Sequence, residues 1–198
     1  MELLLASNNT NKKREYEEIL FPHTVLLPSD IGIEFSFEEK GTTYFENAFG
    51  KGMTLFRQVR GPVIADDSGL SVAALNGAPG LYSSRYGAPE KGTKLSAPAR
   101  NRFLLEKMDQ LDDRKAFFVC CLVLILEEYR FFSIQETLEG EVCRVPAGSG
   151  GFGYDPVFFL PDRGKTVAQL PAAEKHSISH RGKAGKRMAA FIQTLKKL

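Results

Sequence analysis

Asp66 and Asp67 follow a short apolar run, Pro62-Val63-Ile64-Ala65, and Ser68-Gly69 come immediately after. Apolar residues closed by a turn signal predict a buried strand feeding a loop, with both carboxylates at the strand end. Adjacent carboxylates repel each other, and partial burial penalises both charges. A divalent cation would remove that conflict. Hard cations such as Mg²⁺ take one or two carboxylates and complete their shell with substrate phosphates. For the dipeptide alone, the plainer alternative is a turn, where Asp and Ser are common.

Four other groups of residues carry chemistry of a related kind. Ser7-Asn8-Asn9-Thr10-Asn11-Lys12 reads as a polar loop entering a helix, which offers backbone N–H groups and the positive end of a helix dipole to an anion. Lys12 and Lys13 add charge, and asparagine side chains can donate to phosphate. The glycines and the Gly-Lys-Ser/Thr ending of a Walker A loop are absent. Glu38 and Glu39 precede the next helix, on which Asn47 and Lys51 stand four apart, on a face distinct from the apolar stripe. A carboxylate and an ammonium aimed at one phosphate–metal cluster would account for them. In Phe152-Gly153-Tyr154-Asp155 the glycine permits close backbone approach and the rings can stack on a nucleobase. Asp155 can accept from a base N–H or a ribose hydroxyl. Lys175, His180 and Arg181 lie in a basic segment whose Arg and His donors suit the keto oxygens of a purine. His176 and His180 have a zinc-like spacing, but no third ligand set stands nearby. Taken singly, each group also reads as a helix cap, a solvated charge, a tight turn or a basic surface.

The elements that must position these residues follow from periodicity. Leu3 to Ala6 reads as a first buried strand, and the following helix places Tyr16, Ile19 and Leu20 on one face. Near residue 43 a second helix begins with capping-box spacing at Thr43 and Glu46, and Phe45, Ala48, Phe49, Gly52 and Phe56 form its stripe. Residues 71–97 are rich in Gly, Pro and Ser and read as an extended loop region. Pro98 opens a helix presenting Leu104, Met108 and Leu111. Ala116 to Leu126 and Arg130 to Leu138 read as a hairpin, and Val157 to Leu160 as a short strand. A C-terminal helix buries Ala184, Met188, Phe191, Ile192 and Leu195 and leaves Lys183, Lys186 and Arg187 solvated. Intermixed strands and helices with an inserted antiparallel hairpin predict a single α/β domain over residues 1–198, with a mixed sheet.

Composition sets the outer limits. The 198 residues are 43% hydrophobic and 25% charged, ordinary for a soluble globular protein. A net charge of +2 demands neither nucleic acid nor a membrane, so anion binding must come from local clusters. No stretch is apolar enough to span a bilayer, and Met1 leads into a strand-like run, not a signal peptide. Of three cysteines, Cys120 and Cys121 are adjacent within one strand and should face opposite sides. Reduced thiols in a cytoplasmic protein are expected.

Taken together, the motifs resemble the Ham1-like family of inosine/xanthosine triphosphate pyrophosphatases. The resemblance is carried by Ala65-Asp66-Asp67-Ser68-Gly69-Leu70, Gly77-Ala78-Pro79-Gly80, Ser84-Arg85-Tyr86, Gly150-Gly151-Phe152-Gly153-Tyr154-Asp155-Pro156 and Ile178-Ser179-His180-Arg181-Gly182, in that order. It implies Mg²⁺-dependent cleavage between the α and β phosphates of ITP, dITP and XTP. Asp67 would be general base and metal ligand, with Glu39 or Glu38 also holding metal, and Asp66 and Lys51 in the catalytic group. It also implies substrate contacts from Ser7 to Lys12, Ser68, Phe152 to Asp155, Lys175, His180 and Arg181. An elongated two-lobed fold with a nucleotide cleft and a homodimer belong to the same implication. Rival readings are a Maf-type pyrophosphatase, a nucleotide-binding regulator without turnover, and a nucleic-acid module using Lys175 to Arg187.

Overall fold

Successive residues of three neighbouring strands enter different hydrophobic cores, and that alternation decides which side chains meet at the site. The computed structural model describes residues 1–90 and 93–195, so the loop expectation for 71–97 lies outside the described residues at Lys91 and Gly92. The elements are β1 (Glu2–Leu5), α1 (Thr10–Ile19), β2 (Thr24–Leu26), α2 (Tyr44–Val59), β3 (Val63–Val72), α3 (Ala97–Lys107), β4 (Lys115–Glu127), β5 (Arg130–Val142), β6 (Phe158–Leu160), β7 (Lys165–Thr166), α4 (Ala172–Ile178) and α5 (His180–Leu195). The strands form one sheet in the order β2-β1-β3-β4-β5-β6-β7. β1 runs parallel to β2 and β3, whereas β6 is antiparallel to β5 and β7. The chain is therefore α/β with a mixed sheet, as its sequence predicts.

The chain divides into two compact units. The first comprises Met1–Asp67, Cys120–Glu136 and the residues from Ser179 onward. One of its cores packs Leu3, Leu5, Ile64, Cys120, Leu122 and Leu124 against Tyr16 and Ile19 of α1 and Ala184, Met188 and Ile192 of α5. Its other core packs Leu4, Ala6, Val63, Ala65, Cys121, Val123 and Ile125 against Ala48, Met53, Leu55 and Phe56 of α2. Cys120 and Cys121 thus face opposite sides, as strand alternation requires. The second unit, Ser68–Val119 with Thr137–Ile178, buries Leu70, Leu104, Met108, Tyr154, Val157 and Phe158 in a core of its own.

Several boundaries differ from the sequence reading. β3 does not end at Asp66 but runs on to Val72, because both carboxylates have partners that let the strand carry them. β2 is only Thr24-Val25-Leu26, too short to show a period. The expected C-terminal helix is α5, and the basic segment before it forms a further short helix, α4, separated from it at Ser179. On α2, Thr43 Oγ1 caps Glu46 N at 3.1 Å, but the Glu46 carboxylate returns to Thr42, one residue upstream of the expected capping box. Phe45, expected in the buried stripe, is exposed and stacks with Phe49. Asn47 and Lys51, expected off the stripe, are buried.

Candidate active site

β3 alternation continues through the two aspartates. Ile64 belongs to the α1/α5 core, so Asp66 points the same way; Ala65 belongs to the α2 core, so Asp67 points there. Asp66 accepts from Lys12 Nζ at 3.0 Å, Tyr16 Oη at 2.9 Å and Arg181 Nε at 2.7 Å. Burial alone would raise its pKa, but Arg181 and Lys12 outweigh it and hold the carboxyl well below its ordinary range. Its carboxylate holds three donors, two of them cationic. Asp66 therefore anchors Lys12, where the sequence expects a catalytic part for it.

Asp67 meets different partners. Lys51 Nζ lies 3.3 Å from Oδ1, and Asn47 Nδ2 donates to Oδ2 at 3.2 Å. Burial raises the Asp67 pKa, Lys51 pulls it down only in part, and the Glu39 carboxylate adds to the rise. Lys51 Nζ also donates to Glu39 Oε1 at 2.8 Å and to the Asp66 backbone carbonyl at 3.2 Å. Burial alone would lower the lysine pKa; Asp67 and Glu39 outweigh it, so the ammonium stays protonated. Lys12 Nζ donates to that same Asp66 carbonyl at 3.1 Å. Two ammonium groups from α1 and α2 therefore converge on one backbone oxygen, beside a carboxylate kept basic by its surroundings. Ammonium groups are chemically able to bind phosphates, and such a carboxylate beside them is able to accept a proton from water.

The glutamates separate cleanly. Glu39 faces Lys51 and Asp67, whereas exposed Glu38 pairs with Lys40 Nζ at 2.8 Å. The extra cation at Lys40 attends Glu38. Among the described residues no three His, Cys, Asp or Glu side chains converge as a metal cage. Glu39 and Asp67 nevertheless supply hard oxygen donors that meet at the Lys51 ammonium, a donor type that suits a divalent ion completed by phosphate and water.

The first loop is tied down differently from the sequence expectation. Asn9 caps α1, accepting from Asn11 N at 2.9 Å and Lys12 N at 3.4 Å, while Ser7 Oγ accepts from Asn9 N. Asn8 Nδ2 donates to the Phe35 carbonyl at 2.8 Å. The N–H groups of Asn11 and Lys12, expected to await an anion, are thus engaged by Asn9. Thr10 and Asn11 are exposed in the first turn. Arg181 is buried, with Nη1 on Glu15 Oε2 at 2.8 Å as well as Nε on Asp66. Its guanidinium meets two carboxylates, where the sequence expects a donor to a purine edge. His180, the first residue of α5, is buried in the same unit.

A second group forms within the other unit. Asp155 Oδ2 accepts from Phe152 N at 2.7 Å and Lys175 Nζ at 2.6 Å, and that ammonium lies 5.1 Å from the Phe152 ring centre. Tyr154 Oη donates to the Ser83 carbonyl at 2.9 Å, and burial raises the phenol pKa. Gly153 has a positive φ of 67° in this turn, and Ser68 is half-buried in β3. Glu15, Tyr16 and Asn47 had no assigned part in the sequence reading. The spacing of Lys12 and Glu15, three apart on one helix face, was the available signal for Glu15.

Comparison with known proteins gives a consistent picture. The sequence profile of the Ham1 family matches residues 3–191. A dITP/XTP pyrophosphatase of Treponema denticola is 52% identical, with 98% of this chain and 99% of that one covered. One from Thermus thermophilus is 42% identical over 93% of this chain and 88% of its own. Among solved structures, a Ham1 protein from Coxiella burnetii superposes with a TM-score of 0.85 at 36% identity, covering 98% of this chain and 99% of that one.

Proposed function

The chain belongs to the Ham1 family, and from that premise we propose that it hydrolyses the non-canonical purine triphosphates ITP, dITP and XTP to monophosphate and pyrophosphate. The reaction removes deaminated purines from the nucleotide pool. The reading is carried by one observation: Asp67, its pKa raised by burial, stands between Lys51 and Asn47 and beside Glu39.

Asp67 is the group that takes a proton from the attacking water, since a carboxylate of raised basicity is better suited to that task than Asp66, whose pKa its cations hold low. Lys12 and Lys51, both seated on the Asp66 carbonyl, bind and orient the phosphates and offset charge developing on the pyrophosphate leaving group. Glu39 and Asp67 would hold Mg²⁺, which when bound neutralises phosphate oxygens as a Lewis acid. No nucleophilic Ser or Cys is required. Base recognition is assigned to Phe152, Tyr154, Asp155, Lys175 and His180. An acceptor and donors fixed in place reject a base whose donor pattern leaves a buried polar group unpaired. Arg181 acts through Asp66, and Asn8, Asn9 and Ser7 shape the phosphate-side loop.

The reading extends to the whole chain as one catalytic domain, acting in the cytoplasm as a homodimer without nucleic-acid or membrane partners. No described helix is long and apolar enough to cross a membrane. The test is pyrophosphate release from ITP, XTP, GTP, ATP and TTP, with Mg²⁺ and with EDTA. Metal-dependent release from the first two, far above the others, is expected. Orthophosphate release, a pyrimidine preference or no turnover would overturn the reading. Sedimentation tests the dimer.

A further inference from the structure

Asn47 lies in the first turn of α2 with 1% of its surface exposed. Its carboxamide oxygen accepts from Gly41 N at 2.8 Å, and its amide nitrogen donates to Asp67 Oδ2 at 3.2 Å. The first bond fixes the second. A backbone N–H can only donate, so the atom facing Gly41 is the oxygen and the NH₂ must face Asp67. Gly41 stands two residues after Glu39, and a Cβ there would fall 2.7 Å from Asn47 Oδ1. The chain comes this close to the amide only as glycine. One buried amide thus joins the segment carrying Glu39 to the carboxylate of Asp67.

The helix does not need this side chain. Thr43 already caps the α2 terminus, and asparagine is a poor residue in a helix interior. Nor does Lys51 duplicate it. Lys51 ties Glu39 Oε1 to Asp67 Oδ1, whereas Asn47 holds Oδ2 and so fixes the plane of the carboxylate.

We propose that Asn47 is a positioning residue for the pyrophosphatase reaction: it sets the orientation of the Asp67 carboxylate and holds the Glu39 segment against it. The inference rests on the assignment of Asp67 and Glu39 as the metal-holding pair. Partners that orient a ligating carboxylate are worth about 10–100-fold in metal affinity or activity.

The test compares Asn47→Leu and Asn47→Asp with wild type in three measurements. These are Mn²⁺ binding to the nucleotide-free protein by electron paramagnetic resonance, kcat and KM for dITP at saturating Mg²⁺, and thermal unfolding. Asn47→Leu loses both bonds. Its Mn²⁺ dissociation constant should rise and its kcat fall, each by about 10–100-fold. KM for dITP should stay within about threefold, because the phosphate-binding lysines are untouched. Asn47→Asp keeps the acceptor for Gly41 N–H but replaces the donor to Asp67 with a second carboxylate, whose charge favours cation binding while leaving Asp67 unoriented. Its kcat should fall by about tenfold or more while Mn²⁺ affinity is retained, separating turnover from metal binding. Variants that unfold earlier but match wild type in Mn²⁺ affinity and kcat would make Asn47 a packing residue and overturn the proposal. If wild type releases no pyrophosphate from any nucleotide, the functional reading fails by itself. The Mn²⁺ titration of Asn47→Leu then still decides the positioning role, and an unchanged constant overturns it.

Discussion

Asp66 and Asp67 are covalent neighbours whose carboxylates face opposite sides of β3, one bound to Lys12, Tyr16 and Arg181 and the other to Lys51 and Asn47. The mutual repulsion that makes an Asp-Asp pair look costly in the sequence is therefore eased, since each carboxylate meets a cation on its own side. The two residues should fail differently when changed. Asp67→Asn removes the base and should lower kcat for dITP by about 10²–10⁴-fold with little loss of stability. Asp66→Asn leaves Arg181 and Lys12 without their shared counter-charge, and breaking a buried pair costs about 3–5 kcal/mol. Denaturant unfolding beside steady-state kinetics separates the two. Near-wild-type turnover in Asp67→Asn would remove it as the base.

The depressed pKa of Asp66 fixes the sign of a pH effect. Its folded value lies well below the ordinary 3.8, so its contribution to stability is fully present above that value and is lost as pH falls through the folded one. Unfolding of wild type and Asp66→Asn should therefore differ by a constant margin from pH 5 to 8, which narrows below about pH 4 as Asp66 takes up a proton. A margin that persists unchanged into strong acid would show that the charge of Asp66 is not what stabilises the network.

Arg181 offers a sharper contrast with its sequence expectation. With Nε on Asp66 and Nη1 on Glu15, truncation removes the cation that these two buried carboxylates share and leaves Lys12 on Asp66. Arg181→Ala should lose about 3–5 kcal/mol in unfolding free energy, and Glu15→Gln, which spares Asp66, should lose less. Equal losses in the two variants would mean that Asp66 draws little from the guanidinium.

The residue types that make this site were legible, and their pairing was not. Asp67, Lys51, Glu39 and Lys12 were readable because carboxylates and lysines beside a strand end and a helix start already specify phosphate–metal chemistry. What hid the partners was the end of β3. Ser68-Gly69 reads as a turn, yet the strand runs on to Val72, and only a continuing strand sends Asp66 and Asp67 to opposite faces. Arg181 meets Asp66 across 115 residues of sequence, a distance over which periodicity carries no signal. Glu38 and Glu39 were indistinguishable for a related reason: they lie in a segment without regular structure, so no face could be assigned. Asn47 looked like a spacing mark for Lys51, because a single buried amide has no periodic signature.

Gly151 supports the second group, and its replacement gives the last test. Its φ of 69° is a conformation that side chains resist, and a Cβ there would lie 2.0 Å from Asp155 Oδ2 and 3.0 Å from Lys175 Nζ. Gly151→Ala must therefore displace the pair that Asp155 makes with Lys175 and with Phe152 N. If those residues recognise the base, KM for dITP should rise by about tenfold, while kcat stays near wild type because the new Cβ meets Asp155 and Lys175 and not Asp67 or its lysines. Lys175→Met, which leaves the backbone of the turn intact, should raise KM in the same direction through loss of the ion pair alone. A fall in kcat without a change in KM would move Asp155 and Lys175 from recognising the base to supporting the reaction.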